Sequence, residues 1–364
     1  MRYIISILFL LSTLNGFSQK SIIKDSLYVI ELKLHIDSIY NYQFENSENT
    51  YMQMLNDYPN HPFPDLYYAL AMYWKYFPIT PNSEKAPLFV EKLNSSIAKA
   101  ENYFAKQETN ESIFFNLMGR LLLMQYFSDN QTSANVFPHI KPAYKMLHKG
   151  FRLEDSFSDF KFSSGVYNYY REYYPKAHPI YKPIAYFFPK GNALKGIALL
   201  ETNSQKGIFL HKESLSFLIY INLYFEKNYR KALKYTKQIR KESPDNLLYL
   251  SYHTLSLLLL KKYNKAKALI SILEKTKHSN NYFKAIAHVF NGIIAEKKYK
   301  DYTLAKTQYS TALKKLERYE NFANTYKSIA YFGLSRIYLE DATLSNKYRK
   351  KARKLAIFSH INFD

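Results

Sequence analysis

The sequence predicts an all-α protein, a right-handed α-solenoid of roughly eight stacked antiparallel helix pairs. Three observations carry that expectation. The chain has 364 residues, 47% of them hydrophobic, which is enough to bury a large core. It holds only 9 Gly and 13 Pro against 36 Tyr and 26 Phe, too few turn formers for a sandwich or barrel of many short strands. Finally, Tyr229-Arg230-Lys231-Ala232 returns as Tyr263-Asn264-Lys265-Ala266, 34 positions later. Self-similarity at such a period marks stacked helical repeats.

Taken from the start, residues 1–18 read as a secretory signal peptide. Met1-Arg2 supplies the positive end, Tyr3 to Leu14 the apolar run, and Gly16-Phe17-Ser18 the small residues around a cleavage point before Gln19. The run falls short of the roughly 20 residues that span a bilayer. Export places the mature chain in the periplasm or cell envelope. With no cysteine there is no disulfide, no thiolate metal site and no acylated lipoprotein terminus. No transmembrane segment is expected later, because the longest apolar run, Leu247 to Leu260, carries Ser251, His253, Thr254 and Ser256.

Apolar residues at i, i+3 and i+4 predict helices over Tyr28 to Tyr40, Asp65 to Phe77, Ser83 to Lys106, Glu111 to Phe127 and Pro138 to Lys149. Asn82 or Ser83 and Asn110 are the expected N-caps. These make residues 19–207 an irregular helical half. It ends in a proline-rich elbow at about 175–191, where Pro175, Pro179, Pro183 and Pro189 forbid a continuous helix, followed by a short helix from Asn192. The second half, 208–364, reads as regular pairs at 213–246, 247–280, 285–320 and 326–358, continuous with the first.

In these pairs a small residue sits where the two helices cross, and proline follows the second helix. Ala232 with Pro244, Ala266 with His278 in the proline's place, Gly292 with Ala305, Tyr309 and Ala312, and Gly333 with Ala352 fit that scheme. So does Ser47 with Tyr51 and Pro59. In this the chain resembles the tetratricopeptide repeat family. A second block is more specific: Gly165-Val166-Tyr167-Asn168-Tyr169-Tyr170, Pro189-Lys190-Gly191-Asn192 and Gly196-Ile197-Ala198-Leu199-Leu200-Glu201. It is similar to a bacterial tetratricopeptide subgroup related to eukaryotic proteins of inclusion and lipid-droplet clearance. That subgroup reads Pro-Gly-Gly-Asp where this chain has Lys190 and Asn192. The resemblance implies a helical repeat fold and no particular activity.

Catalytic patterns are lacking. Gly191 to Gly196 has the glycine spacing of a phosphate loop, but Ile197-Ala198 stands where Lys and Ser/Thr are needed. No metalloprotease, nucleophile-elbow or dinucleotide pattern occurs. His35, His253 and His288 stand singly on first helices of pairs, and Glu154-Asp155 and Glu340-Asp341 fall at turns. The expectation is a protein that is not an enzyme, with no catalytic residue, metal or cofactor.

Three surfaces are candidates instead. Phe217, Ile221, Tyr224, Leu248, Leu255 and Leu258 fall where first helices line a concave groove, which either a partner's apolar helix or the chain's own N-terminal helices must fill. Arg230, Lys234, Lys237 and Lys241 repeat at 4, 3, 4 and form a basic stripe on the second helix. The net charge of +21 is concentrated there: residues 1–200 carry 20 basic and 17 acidic side chains, residues 201–364 carry 31 and 13. An anionic polymer or membrane surface suits that face, and export weighs against nucleic acid. Tyr167, Tyr170 and Tyr174 head an aromatic cluster, with Tyr181 and Tyr186 beyond, that suits a glycan or simply packs the core. The function expected is a non-catalytic scaffold or adaptor with a protein partner in the cell envelope.

Overall fold

The computed structural model describes residues 21–177, 186, 188–276, 281–358 and 360–364, and among them there is no strand. Residues 1–18, the expected signal peptide, together with Pro179, Tyr181, Pro183 and His278, and with them most of the elbow, lie outside the described residues. The rest forms eight helix pairs. They are α1 (Ser26–Tyr40) with α2 (Ser47–Asp57), α3 (Phe63–Lys75) with α4 (Ala86–Lys106), α5 (Asn110–Asp129) with α6 (Phe137–Gly150), and α7 (Phe160–Ala177) with α8 (Ala193–Lys206). The second half adds α9 (His211–Tyr224) with α10 (Tyr229–Glu242), α11 (Leu247–Leu259) with α12 (Tyr263–Lys275), α13 (Asn281–Ile294) with α14 (Tyr302–Leu316), and α15 (Asn324–Ile337) with α16 (Ala342–Leu355). Each helix packs on the next, and from α7 onward each first helix of a pair also touches the following first helix. This is an all-α solenoid. No described helix is long and apolar enough to cross a membrane.

Capping residues set most of the starts. Asp25, Asn192, Asn228, Asn246, Asp301 and Asp341 each accept a backbone N–H of the first turn that has no intrahelical partner. Two expected caps are different. The N-cap before α5 is Thr109, closed reciprocally with Ser112, so Asn110 is already helical. Before α4 no side chain caps: Ser83 Oγ instead accepts from Thr80 N at 2.9 Å, which commits it to the preceding turn.

The small residues expected at crossings are all deep. Ala232, Ala266, Ala305 and Ala352 have no accessible surface. Tyr309 of α14 threads between α13 and α15, and a Cβ on Gly292 would come within 2.6 Å of its ring. The glycines of the middle block have a sharper reason. A Cβ on Gly196 would lie 2.7 Å from both Gly165 O and Tyr169 N, and one on Gly165 would lie 2.9 Å from Gly196 O. Helices α7 and α8 therefore meet backbone to backbone, and no side-chain rotation relieves an added methyl there.

The two halves of the solenoid close on each other. Tyr40 stacks on Tyr249 at 6.4 Å, Trp74 meets Tyr249 edge-on at 5.8 Å, and Phe77 stacks on Phe283 at 5.7 Å. Polar clasps mark the rim. Lys212 Nζ donates to Asp37 Oδ1 at 2.5 Å, Asn246 Nδ2 to Tyr40 O at 3.0 Å, and Asn41 Nδ2 to Glu242 O at 3.2 Å. At the other end the C-terminal tail folds back, with Phe358 stacked on Tyr224 at 4.5 Å and Arg336 bonded to Asn362 O and Asp364.

Candidate interaction surfaces

The concave surface comes first because the closure changes it. Ile221, Tyr224, Leu255 and Leu258 are buried, and Phe217 and Leu248 are half-buried. None of the six presents an open apolar wall for a partner's helix. Helices α1 and α3, the Phe77 turn and the Phe358 tail occupy that side. Of the two occupants considered for this side, the chain's own elements are the ones that cover these residues here, and an exposed apolar trough of this size would be an aggregation hazard.

The tyrosine cluster is also structural. Tyr167 Oη donates to Pro189 O at 2.7 Å and its ring lies 5.3 Å from Phe151. Tyr170 packs edge-on to Phe225 at 5.6 Å and to Phe217 at 6.3 Å. Tyr169, fully buried, donates to Glu226 Oε1 at 2.6 Å, and Tyr173 to Phe225 O at 3.1 Å. These rings bridge α7 to α9 and to the turn before α8, and Tyr167, Tyr170 and Tyr173 remain half-buried. The side chain of Tyr174 lies outside the described set, and Tyr186 is exposed. The single histidines find local roles: His35 faces Glu31 at 3.6 Å, and His288 Nδ1 lies 2.7 Å from Gln308 Oε1.

The basic residues of α10 lie at the surface. On α10 the apolar stripe Ala232, Leu233, Tyr235, Thr236 and Ile239 is buried, which leaves Arg230, Lys234, Lys237 and Lys241 exposed on the opposite face. None of the four forms an ion pair among the described residues. The same pattern runs through the later second helices. Helices α10, α12, α14 and α16 carry six, three, three and six Lys/Arg, against Glu242 and Glu274 alone. Glu242 is spent on His211, 3.0 Å away, and Glu274 on Asn291 at 2.6 Å.

Neighbouring groups register the resulting field. His253, beneath α10, is driven down to about 4 by burial and then by Arg240 and Lys237. On the surface, Tyr299 is lowered by hydrogen bonds from Lys298 and Lys267, both of which also lie over its ring. The periodicity of α10 made this face legible in the sequence. The inward closure was not legible, since it depends on contacts such as Tyr40 with Tyr249, about two hundred positions apart. No known protein-family profile matches the chain, and no curated protein matches it in sequence.

Proposed function

We propose that the chain is a non-catalytic adaptor of the tetratricopeptide type in the cell envelope, one that docks on an acidic envelope surface through the outer faces of α10, α12, α14 and α16. The observation that carries this reading is the contrast between the two sides of the solenoid. The concave side is occupied by the chain's own helices, whereas the outer side presents seventeen exposed cationic side chains on four helices with two carboxylates, both already partnered. A surface of one sign over several repeats attracts an extended polyanion or anionic headgroups and holds them without a pocket. Stacked repeats suit this because each adds further area and at least three cationic side chains to one continuous face.

Salt decides it. Raising ionic strength from 0.1 to 1 M shortens the screening length from about 10 to about 3 Å, so binding by exposed charges should collapse. The mature chain, residues 19–364, is applied to envelope extract at both salt levels, and captured polymer, lipid and protein are identified. Acidic material held only at low salt is the expected result; a partner equally retained at 1 M contradicts the reading. In parallel, the quadruple variant Arg230→Glu, Lys234→Glu, Lys237→Glu, Lys241→Glu should bind anionic vesicles at least about 1000-fold more weakly, because four basic residues at about 1 kcal/mol each near an anionic surface sum to about 4 kcal/mol. Its thermal midpoint should stay within about 2 °C of wild type, since exposed substitutions rarely cost more than about 0.5 kcal/mol.

A further inference from the structure

Helices α5 and α6 form the third pair, and the chain that leaves α6 returns to the start of α5. It does so in successive turns: Arg152 N donates to Lys149 O at 3.2 Å and Leu153 N to Gly150 O at 2.9 Å. Asn110 Nδ2 then donates to Ser156 Oγ at 3.0 Å, which ties the returning segment to the first residue of α5. Between the two lies a cavity of about 490 Å³, a volume within the range of small-molecule sites. Its frame is fixed. Thr109 and Ser112 cap α5 reciprocally, and Lys149 Nζ on α6 bonds Glu108 Oε1 before α5 at 2.5 Å.

Two kinds of surface line this cavity. Ile113, buried, and Leu153, half-buried, give it an apolar side, whereas His148 and Arg152, both exposed, give it a polar one. They belong to a basic run, Lys145, His148, Lys149 and Arg152, whose members differ in what they are free to do. Lys145 and Lys149 lie over the Phe104 ring at 5.8 and 5.2 Å, and Lys149 is also paired with Glu108. His148 makes ring contacts with Tyr144 at 6.3 Å and Phe151 at 6.1 Å. The Arg152 guanidinium has no ion-pair partner among the described residues. An arginine fork presents parallel N–H donors that match a carboxylate. A phosphate ester, with about 1.5 to 2 negative charges at neutral pH, would leave part of its charge unmatched by one fork and would sit beside the Glu108 carboxylate. The apolar side suits hydrocarbon more than a hydroxylated ring.

We infer that this cavity binds a small monocarboxylic acid with an apolar body, its carboxylate on the Arg152 guanidinium and its hydrocarbon against Ile113 and Leu153. The site lies in the first half of the chain and does not depend on the role of the outer faces of α10, α12, α14 and α16.

The probe is 3-phenylpropanoate, titrated into the mature chain, residues 19–364, by ligand-observed NMR at about 0.15 M salt, where long-range attraction to surface charge is screened. It should saturate below about 10 mM. Its uncharged counterpart, 3-phenylpropanamide, and acetate, which lacks the hydrocarbon body, should each bind at least about tenfold more weakly. Arg152→Gln should lose at least about tenfold in affinity, and Arg152→Lys, which keeps the charge without the fork, should fall between. Arg230→Gln, on the outer face of α10, should change nothing. Because Arg152 is exposed, its substitution should leave the thermal midpoint within about 2 °C of wild type, so a lost affinity is not lost fold. Absence of saturable binding up to about 10 mM, equal binding of the amide or of acetate, or full affinity in Arg152→Gln would each overturn the inference. So would an equal loss in Arg230→Gln, the mark of diffuse charge attraction. Tighter binding of phenyl phosphate than of 3-phenylpropanoate would assign the cavity to phosphate esters and overturn it as well.

Discussion

Replacing Glu111 by Ala should destabilise the protein by about 3–5 kcal/mol, the range for breaking a buried charge network by removing one member. Glu111 is 1% exposed and is the hub of the N-terminal corner. Its Oε1 accepts from Ile22 N at 2.7 Å and Ile23 N at 3.1 Å, and its Oε2 accepts from Tyr103 Oη at 3.1 Å. His61 Nδ1 accepts from Phe63 N at 3.1 Å, which leaves the ring proton on Nε2, 3.4 Å from Oε1. Burial alone would raise this carboxyl, but hydrogen bonds from His61, Ser21 and Ile23 overrule it and hold the carboxyl below its ordinary range. A depressed acid contributes stability above its unfolded value, and that contribution is lost as pH falls through the folded one. Alanine would orphan two backbone N–H groups and a buried tyrosine hydroxyl. Chemical denaturation measures the loss. Glu111→Gln should cost less, because one acceptor oxygen remains for Ile22 and Ile23.

The second large effect is on the alkaline side. Burial raises Asp129 from 3.8 to about 7, opposed only by a hydrogen bond from Gln125. Burial raises Glu213 from 4.5 to about 8, with a smaller contribution from Asp37. A carboxyl raised by folding binds its proton more tightly in the native state. Stability therefore falls as pH climbs from about 4 through 7 for Asp129, and to about 8 for Glu213. The shift at Asp129 corresponds to about 4 kcal/mol, and the side chain's partial exposure to solvent reduces that to about 2 kcal/mol. Asp129→Asn with Glu213→Gln should raise stability at pH 8 by about 3–4 kcal/mol relative to wild type, with little change at pH 4. Denaturant midpoints at both pH values test this; an equal gain at both would mean the carboxyls are ionised throughout.

Much of this fold was legible because its signals are local. The 34-residue return of Tyr-x-Lys-Ala depends on one helix crossing, and Asn192 caps α8 as its side chain and position require. The glycines of the middle block were visible, but their purpose was not: only the geometry shows Gly165 and Gly196 letting two backbones touch. The basic face was legible because solvent exposure follows directly from period 3.6 on α10. The concave side was ambiguous for a physical reason. Apolar residues such as Leu255 look the same whether a partner or the chain's own helices cover them. The interior acid Asp129 gave no signal at all, since a carboxylate in the last turn of a helix is ordinarily solvated surface.

The reading of the outer face as the recognition surface rests on the closure of the concave side by the N-terminal helices. The chain has no cysteine, so paired thiols can be introduced cleanly. Asn41 and Glu242 belong to different ends of the sequence, and Asn41 Nδ2 lies 3.2 Å from Glu242 O. Asn41→Cys with Glu242→Cys, treated with a short bismaleimide under native conditions, should yield a near-complete intramolecular crosslink that disappears in denaturant. A chain that modifies both thiols separately, with no crosslink, would mean that the solenoid is open and the apolar groove is the recognition surface.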